Sequence, residues 1–61
     1  MKKFFRNIYG STASIKETNG QFVLRVCDSF GNLFYTNAYN TYKGARIALG
    51  QMGDEWRERN D

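Results

Sequence analysis

The sequence contains no histidine and only one cysteine, Cys27. Without histidine the chain lacks the commonest general base and the commonest metal-ligating side chain. A single thiol forms no intrachain disulfide, which removes the usual staple of small secreted domains and points to a reducing, cytoplasmic setting. Cys27 also falls short of the four ligands a structural zinc requires. With no histidine to activate it, it reads as a small packing residue on a strand. Neither phosphate-loop pattern, G-x-x-x-x-G-K-[ST] or G-x-G-x-x-G, occurs. No apolar run approaches the roughly 18 residues of a membrane span. Met1 to Arg6 opens like the charged start of a signal peptide, but Arg6, Asn7, Gly10, Ser11 and Thr12 interrupt any apolar stretch behind it. Asp54, Glu55, Glu58 and Asp61 read as solvated charges, because their spacing matches no cation-binding loop. These absences predict a protein without catalytic activity, metal, cofactor or membrane partner.

What is present fits one small domain. A chain of 61 residues buries only about 60% of the surface its unfolded form exposes. Five Phe, four Tyr and one Trp supply large apolar units for that limited core. The net charge is +3 and the isoelectric point is near 9.3, and the distribution is uneven. Lys2, Lys3, Arg6, Lys16, Arg25, Lys43 and Arg46 fall in residues 1–46, against Glu17 and Asp28. Residues 47–61 reverse the balance, with Arg57 and Arg59 against Asp54, Glu55, Glu58 and Asp61. A basic sheet half suits nucleic acid or an acidic protein partner.

Four strands are expected, over residues 3–9, 12–18, 21–27 and 33–37. Lys3 to Tyr9 is aromatic and β-branched, and is either a sheet strand or a loose arm. Thr12 to Thr18 alternates, with Ala13 and Ile15 on one face and Ser14 and Lys16 on the other. Asn19-Gly20 between two alternating runs is a strong hairpin signal, because both residues accept the positive φ of a type I′ turn. That turn pairs Glu17 with Phe22, Ile15 with Leu24 and Ala13 with Val26. If Asp28 then pairs with Leu33 across a second turn, Val26 faces Tyr35. Ala13, Ile15, Phe22, Leu24, Val26 and Tyr35 become the apolar face. Ser14, Lys16, Val23, Arg25, Cys27, Phe34 and Thr36 become the other.

A helix is expected over 41–53, capped by Asn40 or Thr41, with Ala45, Ala48, Leu49, Met52 and Trp56 at helical spacing. Gly53 either lies within it or ends it. In the first case the helix continues to 58; in the second Asp54 caps a further turn, Glu55 to Asn60, with Trp56 folded back onto the core. The expected fold is α+β, a three- or four-stranded antiparallel meander packed on one C-terminal α-helix.

Binding signals concentrate on the face opposite the helix. Lys16 and Arg25 lie there beside Val23 and Phe34, and Lys2, Lys3 and Arg6 extend the set if the first segment runs alongside. Cations interleaved with an aromatic ring suit phosphates and bases; Lys edge protection is the structural alternative. Lys43 and Arg46 in the first helical turns are further phosphate candidates. Ile47 lies off the apolar helical stripe, as a partner or dimer contact would.

The runs N-G-Q-F-V-L-R-V (Asn19 to Val26) and F-G-N-L-F-Y-T (Phe30 to Thr36), followed by Tyr42-Lys43-Gly44-Ala45, resemble the YegP-like domain of unknown function. Thr41 to Arg46 is similar to the helix start of short prophage proteins. A looser likeness is to the N-terminal arm-binding domain of tyrosine integrases, whose three-stranded sheet enters the DNA major groove. That likeness implies DNA contact through Lys16, Arg25 and Phe34. The prophage-like character implies a second class, a phage-encoded inhibitor such as an anti-CRISPR protein that grips a host protein or nucleoprotein complex. A homodimer joined by edge strands is a third arrangement.

Overall fold

Asn19 and Gly20 both occupy the left-handed region, with φ of 52° and 80°. A two-residue turn of this hand matches the twist of the strands on either side. It joins two seven-residue strands, β2 (Thr12–Thr18) and β3 (Gln21–Cys27), in the expected register: Ala13 opposite Val26, Ile15 opposite Leu24, Glu17 opposite Phe22. The computed structural model describes residues 1–53 and 55–59.

The N-terminal segment is a strand rather than an arm. β1 (Lys2–Arg6) pairs antiparallel with β2, ends three residues earlier than expected, and gives way to a loop at Asn7. On the other side of the hairpin, β4 (Leu33–Tyr39) pairs with β3 and runs two residues further than expected. Leu33 faces Cys27, not Asp28. Tyr35 nonetheless faces Val26, because a bulge leaves Phe34 as the extra residue between the two pairs.

The loops before β2 and before β4 are built alike. In the first, Asn7 Oδ1 accepts from the backbone N–H of Tyr9 and of Ser11, both at 3.0 Å. Asn7 N–H donates to the Ser11 carbonyl, and Gly10 N–H to the Asn7 carbonyl. In the second, Asp28 Oδ1 accepts from Phe30 and Asn32, both at 2.9 Å. Asp28 N–H donates to the Asn32 carbonyl, and Gly31 N–H to the Asp28 carbonyl. The fourth residue of each loop is glycine at a positive φ, 84° at Gly10 and 88° at Gly31, a conformation that penalises any residue with a Cβ.

The helix is shorter than its apolar spacing predicts. α1 (Tyr42–Gly50) starts at Thr41, whose Oγ1 accepts the Gly44 N–H at 3.0 Å. It stops at the second glycine. Two further turns of chain follow, and Gly53 at φ 85° redirects the backbone. The expected capping role of Asp54 lies outside the described residues. Trp56 does return to the core, but the described residues after it, Arg57–Arg59, form no helical turn. Instead β5 (Arg57–Arg59) pairs antiparallel with β1, so a strand follows the helix.

The result is α+β: a five-stranded antiparallel sheet in the order β4-β3-β2-β1-β5, with α1 across one face. Phe5, Ala13, Ile15, Leu24 and Val26 from the sheet meet Ala45 and Leu49 from α1 and Trp56 from the return segment. Phe5, Ile15, Leu24, Val26 and Leu49 are almost wholly buried, and each such side chain is worth about 1.5–3 kcal/mol of transfer free energy. Phe22 and Tyr42 extend the core with an edge-to-face contact. Among the described residues no helix is long and apolar enough to cross a membrane.

Candidate functional site

Alternation along the strands sends every second residue to the side away from α1. The pairings arrange those residues in three cross-strand rows. One row runs Arg59, Phe4, Ser14, Arg25, Thr36. A second runs Lys2, Lys16, Val23, Ala38. The third runs Arg57, Arg6, Thr12, Cys27, Leu33. The open face therefore gathers Lys2, Arg6, Lys16, Arg25, Arg57 and Arg59, and among the described residues no carboxylate stands on these rows.

Two of the pairings oppose like charges directly: Lys2 faces Lys16, and Arg6 faces Arg57. Like charges directly across a ladder destabilise the sheet. Arg57 is partly compensated by Glu55 Oε1 at 3.1 Å. Lys2 Nζ lies 4.9 Å from the centre of the Phe4 ring, a cation–π contact with another member of the open face.

Phe4 is 39% exposed and sits between the cationic rows. Around it the surface dips into a hollow of about 360 Å³ lined by Phe4, Thr12, Ser14, Arg25, Cys27 and Arg59, with Phe5 and Ala13 at its floor. A neighbouring hollow of about 240 Å³ is lined by Lys2, Ser14, Lys16, Thr18, Val23 and Arg25. Hydroxyls of Thr12, Ser14 and Thr18 thus flank Lys16 along β2. The surface offers positive charge, hydroxyl donors and one ring face.

Of the residues expected to bind, Lys2, Arg6, Lys16 and Arg25 share this face. Lys3 does not: it lies on the helix side of β1 and its Nζ pairs with Glu58 Oε2 at 3.1 Å. Arg46 donates through Nη2 to the Trp56 carbonyl at 3.4 Å and lies 5.2 Å from the Phe5 ring centre. It ties α1 to the return segment. Lys43 is exposed on α1. Phe34 is 59% exposed in the bulge, where no pairing assigns it to a row.

The strands also bring in residues that sequence reasoning did not nominate. Phe4 joins the face because β1 is paired on both sides, and Arg57 and Arg59 join it because β5 is a strand. Of the acidic tail expected from the sequence, Glu58 pairs with Lys3 and Glu55 with Arg57, while Asp54 and Asp61 lie outside the described residues. Among the described residues no three His, Cys, Asp or Glu side chains are grouped so as to hold a metal ion.

On the helix side of β4, Tyr35 and Tyr39 share a hydroxyl–hydroxyl hydrogen bond of 2.7 Å. That bond holds the Tyr35 phenol below the usual tyrosine range, with Asn37 adding to the effect. It raises the Tyr39 phenol in turn.

No family model, curated protein or solved structure matches this chain.

Proposed function

We propose that this protein is a non-catalytic nucleic-acid-binding module that engages the phosphate backbone through the open face of its sheet. The observation that carries the reading is the opposition of Lys2 to Lys16 and of Arg6 to Arg57 on rows that hold no described carboxylate, Glu55 reaching Arg57 from beside them. Such an arrangement works against the folded state in isolation and is relieved by a polyanion. Lys2, Arg6, Lys16 and Arg25 meet phosphates. Ser14 and Thr12 donate hydrogen bonds to phosphate or sugar oxygens, and Phe4 offers its ring to a base or sugar. The nucleic acid is presented free or within a nucleoprotein complex.

The test is binding of a fluorescently labelled oligonucleotide by the wild type and by Lys16→Glu/Arg25→Glu. The double reversal abolishes binding at moderate salt. Unchanged affinity would remove the sheet face from the interface.

A second reading, an inhibitor that grips a host protein directly, is favoured by Ile47. It is 51% exposed on α1 while Ala45 and Leu49 are buried. That reading predicts capture of a defined protein complex that Ile47→Asp abolishes and Lys16→Glu/Arg25→Glu leaves intact.

A further inference from the structure

The meander brings the two matching loops to the same end of the sheet, where they approach one another closely. A Cβ placed on Gly10 would lie 3.4 Å from the Ser29 Cβ. The third residue of each loop is aromatic and points into solvent, Tyr9 at 68% and Phe30 at 88% exposure. Ile8 beside them is 73% exposed. Large apolar side chains clustered at one end of so small a domain mark a contact surface. These are held on loops closed by four hydrogen bonds each, so presenting them to a ligand requires little further ordering.

The tip adjoins the cationic rows. Arg6 immediately precedes the first loop, and Leu33 immediately follows the second within the row that begins Arg57, Arg6. Ile8 shares a hollow of about 440 Å³ with Arg6, Arg57 and Arg59, to which Asn7, Glu55 and Glu58 also contribute. A ligand spanning both regions must carry repeated negative charge next to flat apolar groups. An unpaired nucleic-acid strand has this chemistry; a duplex buries its ring faces within the stack.

Resting on the nucleic-acid reading above, we infer that Tyr9 and Phe30 are stacking platforms for unpaired bases, and that the protein selects single-stranded over double-stranded nucleic acid.

The experiment measures affinity for a single-stranded oligonucleotide and for the same sequence as a duplex. The proteins are the wild type, Tyr9→Ala/Phe30→Ala, Tyr9→Leu/Phe30→Leu and Lys16→Glu/Arg25→Glu. Both tip substitutions replace exposed side chains, and circular dichroism checks that each variant is folded. The expected result is a loss of about 25-fold or more in single-strand affinity for the alanine pair, about fivefold or more for each ring removed. The leucine pair, which keeps apolar bulk without a ring, shows a similar loss, and duplex affinity changes less than twofold. Full single-strand affinity in the leucine pair would overturn base stacking in favour of a generic apolar contact, as with a protein partner. Unchanged affinity in both tip variants, with binding still lost in Lys16→Glu/Arg25→Glu, would overturn the tip assignment and leave the sheet face standing. Absence of binding to either oligonucleotide by the wild type would overturn the nucleic-acid reading itself.

Discussion

Lys2 stands directly opposite Lys16 across β1 and β2, on the sheet face that α1 leaves uncovered. A directly opposed like-charge pair destabilises a sheet by about 0.2–1 kcal/mol. Lys16→Glu converts it into an opposite-charge pair. Urea unfolding of the free protein should therefore show Lys16→Glu equal to or slightly more stable than the wild type, while oligonucleotide binding weakens. Parallel losses of stability and binding would mean that Lys16 serves the fold.

The two matching loops differ in how deeply their anchoring residue is set. Asn7 is buried, whereas Asp28 is only partly so. Asn7→Ala leaves the N–H groups of Tyr9 and Ser11 without their acceptor and opens space beneath the loop. Its expected cost is about 2–3 kcal/mol. Asp28→Ala costs about 1 kcal/mol, since water replaces the lost acceptor more easily. Thermal unfolding of the two variants checks the order; equal effects would contradict it.

Trp56 fixes the return of the chain to the core, yet its indole N–H is buried without a hydrogen-bond partner among the described residues. Trp56→Phe keeps most of the apolar contact and removes that unsatisfied donor. It should cost less than about 1.5 kcal/mol. Trp56→Ala should cost about 3–5 kcal/mol, close to the whole stability of a domain this small. Strand β5 depends on this anchor, so Trp56→Ala should also expose the amides of Arg57 to Arg59 to hydrogen exchange.

The Tyr35–Tyr39 pair predicts uneven tyrosine ionisation. Tyr35 loses its proton first, because its phenolate accepts the hydrogen bond from Tyr39, and Tyr39 follows at higher pH than an ordinary phenol. An ultraviolet titration of Tyr39→Phe should show the early step moved up toward the ordinary tyrosine range. An unchanged early step would place it elsewhere among the four tyrosines.

The parts of the fold legible in the sequence were those governed by local chemistry. Asn19-Gly20 dictated its turn, and the alternation on either side made the β2–β3 register readable residue by residue. Asn40-Thr41 marked the helix start, and Thr41 is the cap of the two. The strand Arg57–Arg59 was not legible, because R-E-R carries no apolar alternation. It is a strand because the exposed edge of β1 accepts it and Trp56 holds the chain in place. Without β5, neither Arg57 nor Arg59 counted toward the binding face, and without the β1 register Phe4 did not either. Lys3 and Arg46 illustrate the opposite limit. Their charge attracted a binding role, but Glu58 and the Trp56 carbonyl, distant in sequence, engage them instead. The bulge at Phe34 is not legible in the sequence either, since one inserted residue leaves the composition of a strand unchanged.

The most direct test of the central claim is the salt dependence of oligonucleotide binding. A logarithmic plot of affinity against salt concentration has a slope of about −0.7 per phosphate contact on a single strand, so Lys2, Arg6, Lys16 and Arg25 together predict a slope near −3. Lys16→Gln/Arg25→Gln should make it shallower by about 1.4. An affinity indifferent to salt, or a slope that these substitutions leave unchanged, would contradict phosphate recognition by the open face of the sheet.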